Sequence, residues 1–243
     1  MGIDILSLQR TLGIPVLYFD EIDSTSLYCK ERIKNGNSFE GVVIASSQTN
    51  GQGRLGKSFY SPKNSGLYLT FSLKDKALSK SNLTPAIAIA TCRTIEECFG
   101  VSCGVKWVND IYYSGRKVGG ILCQTVQDHV LIGIGINLFQ PEHIPNELQN
   151  RLGWVLGQNE NVDFDRLICS LYKNILVYSE IDDQSLLHEY RARCVHIGAD
   201  VEIEKDNSHI FGKCVGIDDD FQILIDVEGR VQSFSSGFMV LKI

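Results

Sequence analysis

Residues 104–137 read GVKWVNDIYYSGRKVGGILCQTVQDHVLIGIGIN. Four strand-like runs, CGVKWV, DIYY, KVGGILCQTV and HVLIGIGINL, follow one another, and SGRK between the second and third reads as a hairpin turn. On either side the hydrophobic period changes. SKSNLTPAIAIATCRTIEECFG has a helical period closed by Gly100, and DFDRLICSLYKNILVYSEI (163–181) and QSLLHEYRAR (184–193) are helical again. Strands framed by helices predict a mixed α/β (α+β) domain with its sheet packed against helices.

Further toward the N-terminus, DILSLQRTL predicts a short amphipathic helix and VLYFDEI (16–22) a strand. A helix then opens with Asp23 or Ser24 as N-cap and stops at Gly36. GVVIASS (41–47) and GLYLTFSL (66–73) predict strands around a polar, glycine-rich loop over 48–65, QTNGQGRLGKSFYSPKNS. Past Cys194 only short strands remain, separated by DN, DDD and EGR, which suggests a small barrel. The expected division is a catalytic domain over 1–193 and a β domain over 194–243.

The 243 residues are 44% hydrophobic and 21% charged, which excludes a disordered, collagenous or coiled-coil chain. A net charge of −6 excludes a global basic field for nucleic acid or an anionic membrane but leaves room for a local basic patch. None of the eight cysteines is spaced as C-x-x-C, and they lie in apolar runs, so buried free thiols and a reducing compartment are expected. The first residues lack a basic, apolar leader, and no apolar stretch reaches membrane-span length. A cytoplasmic protein without membrane or DNA partners is the expectation.

GQGRLG at 51–56 satisfies G-x-G-x-x-G, but a strand rather than a helix follows it, which argues against a dinucleotide site. Arg54 and Lys57 among glycines suit close approach to an anion instead. In KWVND (106–110), Trp107 reads as core, Lys106 as solvated, and Asn109 and Asp110 as turn residues or ligands. Lys117 stands seven residues after Asp110, across the hairpin and ahead of Gly119 and Gly120. Glycines in GIGIN (133–137) imply close approach of a ligand or another strand, with Asn137 offering an amide at the strand end. IDSTS (22–26) places hydroxyls at a helix N-terminus, as a cap or a polar-ligand site. The five histidines are scattered and no dedicated protein metal site is expected.

Taken in order, IDST, QTNGQGRLGKSFYSP, KWVNDI, GRKVGGIL and GIGINL resemble the biotin protein ligase family over nearly the whole chain. The family loop pattern is G-R-G-R-x-G-R-x-W. Here Gln52, Lys57 and Phe59 replace two arginines and the tryptophan, and Val108 replaces a proline common in the family. The resemblance implies a catalytic domain like that of class II aminoacyl-tRNA synthetases and biotin–lipoate ligases, with a C-terminal SH3-like barrel. It implies the monofunctional type without an N-terminal DNA-binding domain.

The implied reaction joins biotin and ATP, with Mg2+, into biotinyl-5′-AMP and passes biotin to a lysine of a biotin carboxyl carrier protein. Lys117 and Arg54 are the implied catalytic cations. Ser24, Thr25, Ser26, Gln48, Gly51, Gln52, Gly53 and Gly120 join them around biotin. Lys57, Phe59, Asn109, Asp110, Asn137 and Lys242 belong with Arg54 on the ATP side, Mg2+ accompanying ATP near Asp110. A homodimer through the sheets is a further expectation. A lipoate-type ligase and a non-catalytic biotin-sensing regulator are the alternatives.

Overall fold

The computed structural model describes residues 2–74, 78, 80–158, 160–205 and 208–241. Lys242 lies outside them. Five α-helices and twelve strands are found among the described residues. They begin with α1 (Ile5–Leu12), β1 (Val16–Ile22), α2 (Thr25–Lys34), β2 (Gly41–Gln48) and β3 (Gly66–Leu73). α3 (Leu83–Phe99) leads to β4 (Gly104–Lys106), β5 (Asp110–Tyr113), β6 (Arg116–Val126) and β7 (His129–Asn137). α4 (Phe164–Glu180) and α5 (Asp183–Arg193) precede β8 (Asp200–Lys205), β9 (Ser208–Ile217), β10 (Ile223–Val227), β11 (Arg230–Phe234) and β12 (Phe238–Leu241).

The helix ends follow the residues that favour them. Asp4, Ser24, Asp163 and Asp182 each accept a backbone N–H in the first turn of their helix. Gly13 and Gly100 close α1 and α3 in the left-handed region that costs glycine nothing.

β1 to β7 form one sheet in the order β1-β2-β3-β7-β6-β5-β4. The β1–β2 pair is parallel and the other pairs are antiparallel, so the sheet is mixed. β3 and β7 are buried along their whole length, as strands covered on both faces must be. Val42, Ile44, Ile132, Ile134 and Ile136 face the main core with α3, α4 and α5. Val43 and Leu131 point the other way, to a smaller core with Cys29 and Ile33 of α2. The cavity described below lies on this α2 face.

β8 to β12 form a second antiparallel sheet in the order β11-β10-β9-β8-β12, with β11 and β12 at its ends. Among the described residues no strand ladder closes this sheet into a barrel. Val201, Ile203, Cys214, Ile223 and Ile225 belong to the same core as the large sheet. Hydrogen bonds tie the two parts together, among them the Trp107 indole donating to the Phe221 carbonyl at 2.9 Å and the Val195 amide to the Val105 carbonyl at 3.0 Å. The eight cysteines are free. No helix among the described residues is long and apolar enough to cross a membrane.

Candidate functional site

A cavity opens between the α2 face of the large sheet, the 48–65 excursion and the start of the last strand. Four cations, Arg54, Lys57, Lys106 and Lys117, and one carboxylate, Asp110, line it. A local cationic site thus sits in an acidic chain, as fits an anionic ligand.

The sheet wall is set by β4, β5 and β6. Lys106 stands opposite Asp110 across the β4–β5 turn, and Asp110 opposite Gly120. A register shift in the β5–β6 pair breaks the strict alternation of faces and re-aims Lys117. Its ammonium binds the Asp110 carboxylate at 2.6 Å; the carboxylate is largely withdrawn from solvent and the lysine is partly exposed. Asp110 thereby holds the Lys117 ammonium in place. Asn109 donates to the Ile121 carbonyl at 2.8 Å and accepts from the Arg54 guanidinium at 3.2 Å. Burial pushes Arg54 below the usual arginine range, and Asp110 pushes it back up.

The excursion is more ordered than its composition predicts. Backbone bonds Gln48–Ser61, Phe59–Gly51 and Gly53–Lys57 fold it into a narrow hairpin, tipped by a 3-10 turn at Arg54–Gly56. A Cβ on Gly51 would stand 2.5 Å from the Phe59 carbonyl, so glycine is needed there for the two backbones to approach. Phe59 then drops its ring onto the sheet. A Cβ on Gly135 would lie 2.3 Å from that ring and one on Gly120 3.2 Å from it. The Lys117 ammonium sits 5.6 Å from the ring centroid, within cation–π range.

The polar end is a chain of hydroxyls and one amide. Gln48 Oε1 accepts from the Thr25 amide at 2.9 Å and from its hydroxyl at 3.2 Å. Gln48 Nε2 donates to the Ser61 hydroxyl at 2.8 Å. The Thr25 and Ser26 hydroxyls each lie 2.9 Å from that of Thr70. Gly133 leaves room for Ser26, whose Oγ would be 2.6 Å from a Cβ there.

Thr25, Ser26, Gln48, Gln52, Gly53, Arg54, Lys57, Phe59, Asn109, Asp110, Lys117 and Gly120 all line the cavity. Ser24, Gly51 and Asn137 are not among the lining residues. The Ser24 hydroxyl is occupied as the cap of α2, accepting from the Leu27 amide. Gly51 shapes the hairpin. The Asn137 amide donates to the Gly153 carbonyl at 3.1 Å and the Lys117 carbonyl at 3.4 Å, so it braces the strand that carries Lys117.

Lys106 is buried rather than solvated. Sequence reasoning missed Thr70, whose hydroxyl in the buried strand GLYLTFSL was the available signal. It also missed Gly237 and Met239, which reach the cavity from the C-terminal sheet.

A model of the biotin/lipoate A/B protein ligase family matches residues 18–137. The chain is 31% identical to the bifunctional ligase/repressor BirA of Bacillus subtilis over 94% of this chain and 74% of that one. It is 30% identical to the biotin–[acetyl-CoA-carboxylase] ligase of Mycobacterium tuberculosis over 89% and 85% of the two chains. Among solved structures, the biotin protein ligase of Aquifex aeolicus in complex with biotin and ATP superposes with a TM-score of 0.78, at 26% identity, over 93% of this chain and 98% of that one.

Proposed function

The chain belongs to the biotin/lipoate A/B protein ligase family, and from that membership we propose that it is an ATP-dependent biotin protein ligase. It joins biotin and ATP to biotinyl-5′-AMP, releasing pyrophosphate, and transfers biotin to a lysine of a biotin carboxyl carrier domain. The carrying observation is the Lys117–Asp110 pair at 2.6 Å, on a cationic wall beside the Thr25–Gln48–Thr70 network.

The chemistry asks for such a wall. In the first step a carboxylate oxygen attacks an anionic α-phosphorus, so two negative groups must be brought together while charge moves to the leaving pyrophosphate. Fixed cations in a partly dry site stabilise that change without reorganising. Asp110 fixes the Lys117 ammonium so that it can touch both the biotin carboxylate and the α-phosphate. Asn109 fixes Arg54 toward the phosphates, and Lys57 extends the cationic wall. Mg2+ enters as part of the nucleotide substrate. Thr25, Ser26 and Gln48 offer donors and acceptors to the ureido ring of biotin. Phe59 covers the glycine floor and keeps water from the mixed anhydride. In the second step the acceptor amine forms a C–N bond to the biotinyl carbonyl and AMP departs with the C–O electrons.

We further read residues 1–193 as the catalytic unit, with the class II synthetase-like architecture, and 194–243 as an SH3-like unit. A cytoplasmic location and a homodimer through the sheet complete the proposal. Incubation with biotin, MgATP and a carrier domain, followed by the carrier's mass, tests the function. One added biotinyl group supports it; no transfer of biotin, with transfer in a parallel incubation that supplies lipoate in place of biotin, would assign the other branch of the family.

A further inference from the structure

Lys117 is held from two sides. Asp110 grips its ammonium, and its backbone is tied to the segment that follows a 3-10 turn at Asn146–Leu148. The Lys117 amide donates to the Arg151 carbonyl at 2.9 Å, and the Lys117 carbonyl accepts from the Gly153 amide at 2.8 Å. The Arg151 amide in turn donates to the Leu148 carbonyl at 2.9 Å. Gly153 permits the close approach, since a Cβ there would stand 2.7 Å from the Arg116 Cβ. Arg151 is therefore fixed by its main chain, one residue before the bridge partner of Lys117. Its side chain is exposed and makes no hydrogen bond or ion pair among the described residues.

The Arg151 charge reaches groups on one flank of the cavity. Burial lowers Lys57 and Glu204 raises it; among the cations that lower it further, Arg151 outranks Lys117, which shares the cavity lining. Burial also lowers Lys106, to about 8, and Arg151 adds to that. Burial raises Tyr112 to about 12, with Arg151 opposing, and the Lys106 ammonium lies 5.6 Å from the Tyr112 ring centroid. Arg151 thus stands on the flank of Lys57 and Lys106 as a fifth cation beside a cavity lined by a single carboxylate, Asp110. Such a crowd of like charge suits an anion of several charges rather than one carboxylate alone.

We propose that Arg151 binds the β- and γ-phosphates of ATP and so holds the pyrophosphate that leaves in the adenylation step. The inference rests on the ATP-dependent ligase function above and adds a residue to it. Lys117 and Arg54 are placed for the reacting carboxylate and the α-phosphate, so the remaining phosphates need a cation farther along the wall. A guanidinium meets them with paired N–H donors and keeps its proton throughout. The biotin carboxylate oxygen forms the new O–P bond, the bond from the α-phosphorus to the bridging oxygen breaks, and its electron pair leaves with the pyrophosphate facing Arg151.

The test compares two ligands on the biotin ligase as a full chain. The magnesium complex of α,β-methylene-ATP carries all three phosphates, whereas biotinol-5′-AMP, a stable analogue of the intermediate, carries the α-phosphate alone. Arg151→Gln should weaken the first roughly five- to tenfold, as expected for one exposed charge-assisted contact, and leave the second within about twofold. Its KM for ATP should rise, and its inhibition by pyrophosphate weaken, by the same factor, with the KM for biotin unchanged. Arg151→Lys, which keeps the charge, should recover most of the loss.

Wild-type affinity of Arg151→Gln for α,β-methylene-ATP overturns the inference. So does equal weakening of both ligands with no recovery in Arg151→Lys, which would mean that the side chain acts by supporting the Lys117 strand. A protein that shows the expected Arg151 dependence but transfers no biotin upholds the phosphate contact and overturns the ligase function, so the two failures are distinguishable.

Discussion

Asp110, Lys117 and Gly120 sit on strands paired within a seven-stranded sheet, whereas Arg54, Lys57 and Phe59 sit on a hairpin held by a few backbone bonds. Both walls face the same cavity with cations. On the sheet wall the charges are fixed before a ligand arrives: Asp110 grips Lys117, and Asn137 braces the Lys117 backbone. On the hairpin wall the order depends on glycines that lose much backbone freedom on folding. On the ligase function proposed above, preorganised catalysis would fall to the sheet and covering of the intermediate to the hairpin, and each prediction below strains one wall against the other.

The largest effect belongs to the sheet wall. Lys117→Ala should lower biotin-dependent pyrophosphate release by two or more orders of magnitude, since losing one preorganised cation costs about 3–4 kcal/mol of transition-state stabilisation. The melting temperature should change little, because Lys117 is partly exposed and Lys106 and Arg54 remain near Asp110. Near wild-type release would mean that the hairpin cations suffice.

Behind the same wall, protonation of His196 should cost stability in acid. Its folded pKa lies near 4 against 6.5 for the free group, so the unfolded chain binds more protons between these values. Its share of stability is intact above pH 6.5 and lost as pH falls toward 4. The loss is of order 3 kcal/mol if the whole shift is realised. Urea midpoints of wild type and His196→Gln between pH 7 and 4.5 check this; parallel curves would show that another group sets the limit.

Where the walls touch, Gly135→Ala should push the Phe59 ring off the floor, since the new Cβ would stand 2.3 Å from a ring carbon. Overpacking of this kind costs about 1–3 kcal/mol, read here as a KM for biotin raised roughly tenfold. In a Phe59→Ala background the same substitution should do almost nothing. Additive effects would show that Gly135 serves the sheet and not the hairpin.

The hairpin wall alone is probed by trypsin. Cleavage after Arg54 or Lys57 should slow several-fold once biotin and MgATP are bound, because cleavage samples the open population. Equal rates with and without ligands would make the hairpin as fixed as the sheet.

Much of the local structure was legible, and what was not had a physical reason. VLYFDEI and GLYLTFSL declare themselves as strands over their observed spans, because an apolar run between turn residues is a local signal. That β7 separates β3 from β6, and that β1 pairs parallel to β2, depends on pairings between distant segments and leaves no local trace. The glycines of GIGIN promised a close approach, but not that Phe59, some 75 residues earlier, would make it. Asn137 looked like a ligand because an amide at a strand end can face either way; here it faces Gly153. Lys106 looked solvated because burial of a lysine beside one carboxylate is a tertiary fact.

The smallest expected effect lies where the hairpin meets the C-terminal sheet. Lys57 Nζ lies 3.9 Å from Glu204 Oε2, with both side chains about half exposed. Such a pair contributes roughly 0–1 kcal/mol and is screened by salt. Its effect on catalysis depends on what Glu204 does to Lys57. If Glu204 only offsets charge, Glu204→Gln leaves Lys57 more attractive to phosphates, and the KM for ATP falls about twofold at low ionic strength and not at all at 0.5 M salt, where the Debye length is only about 4 Å. If Glu204 instead positions Lys57, the same substitution raises KM. The first outcome is expected: at 3.9 Å between groups this exposed, the contact is too loose to fix a lysine, and desolvation outranks Glu204 in the forces acting on that ammonium. A raised KM would move Lys57 to the preorganised side and make the C-terminal sheet a third wall.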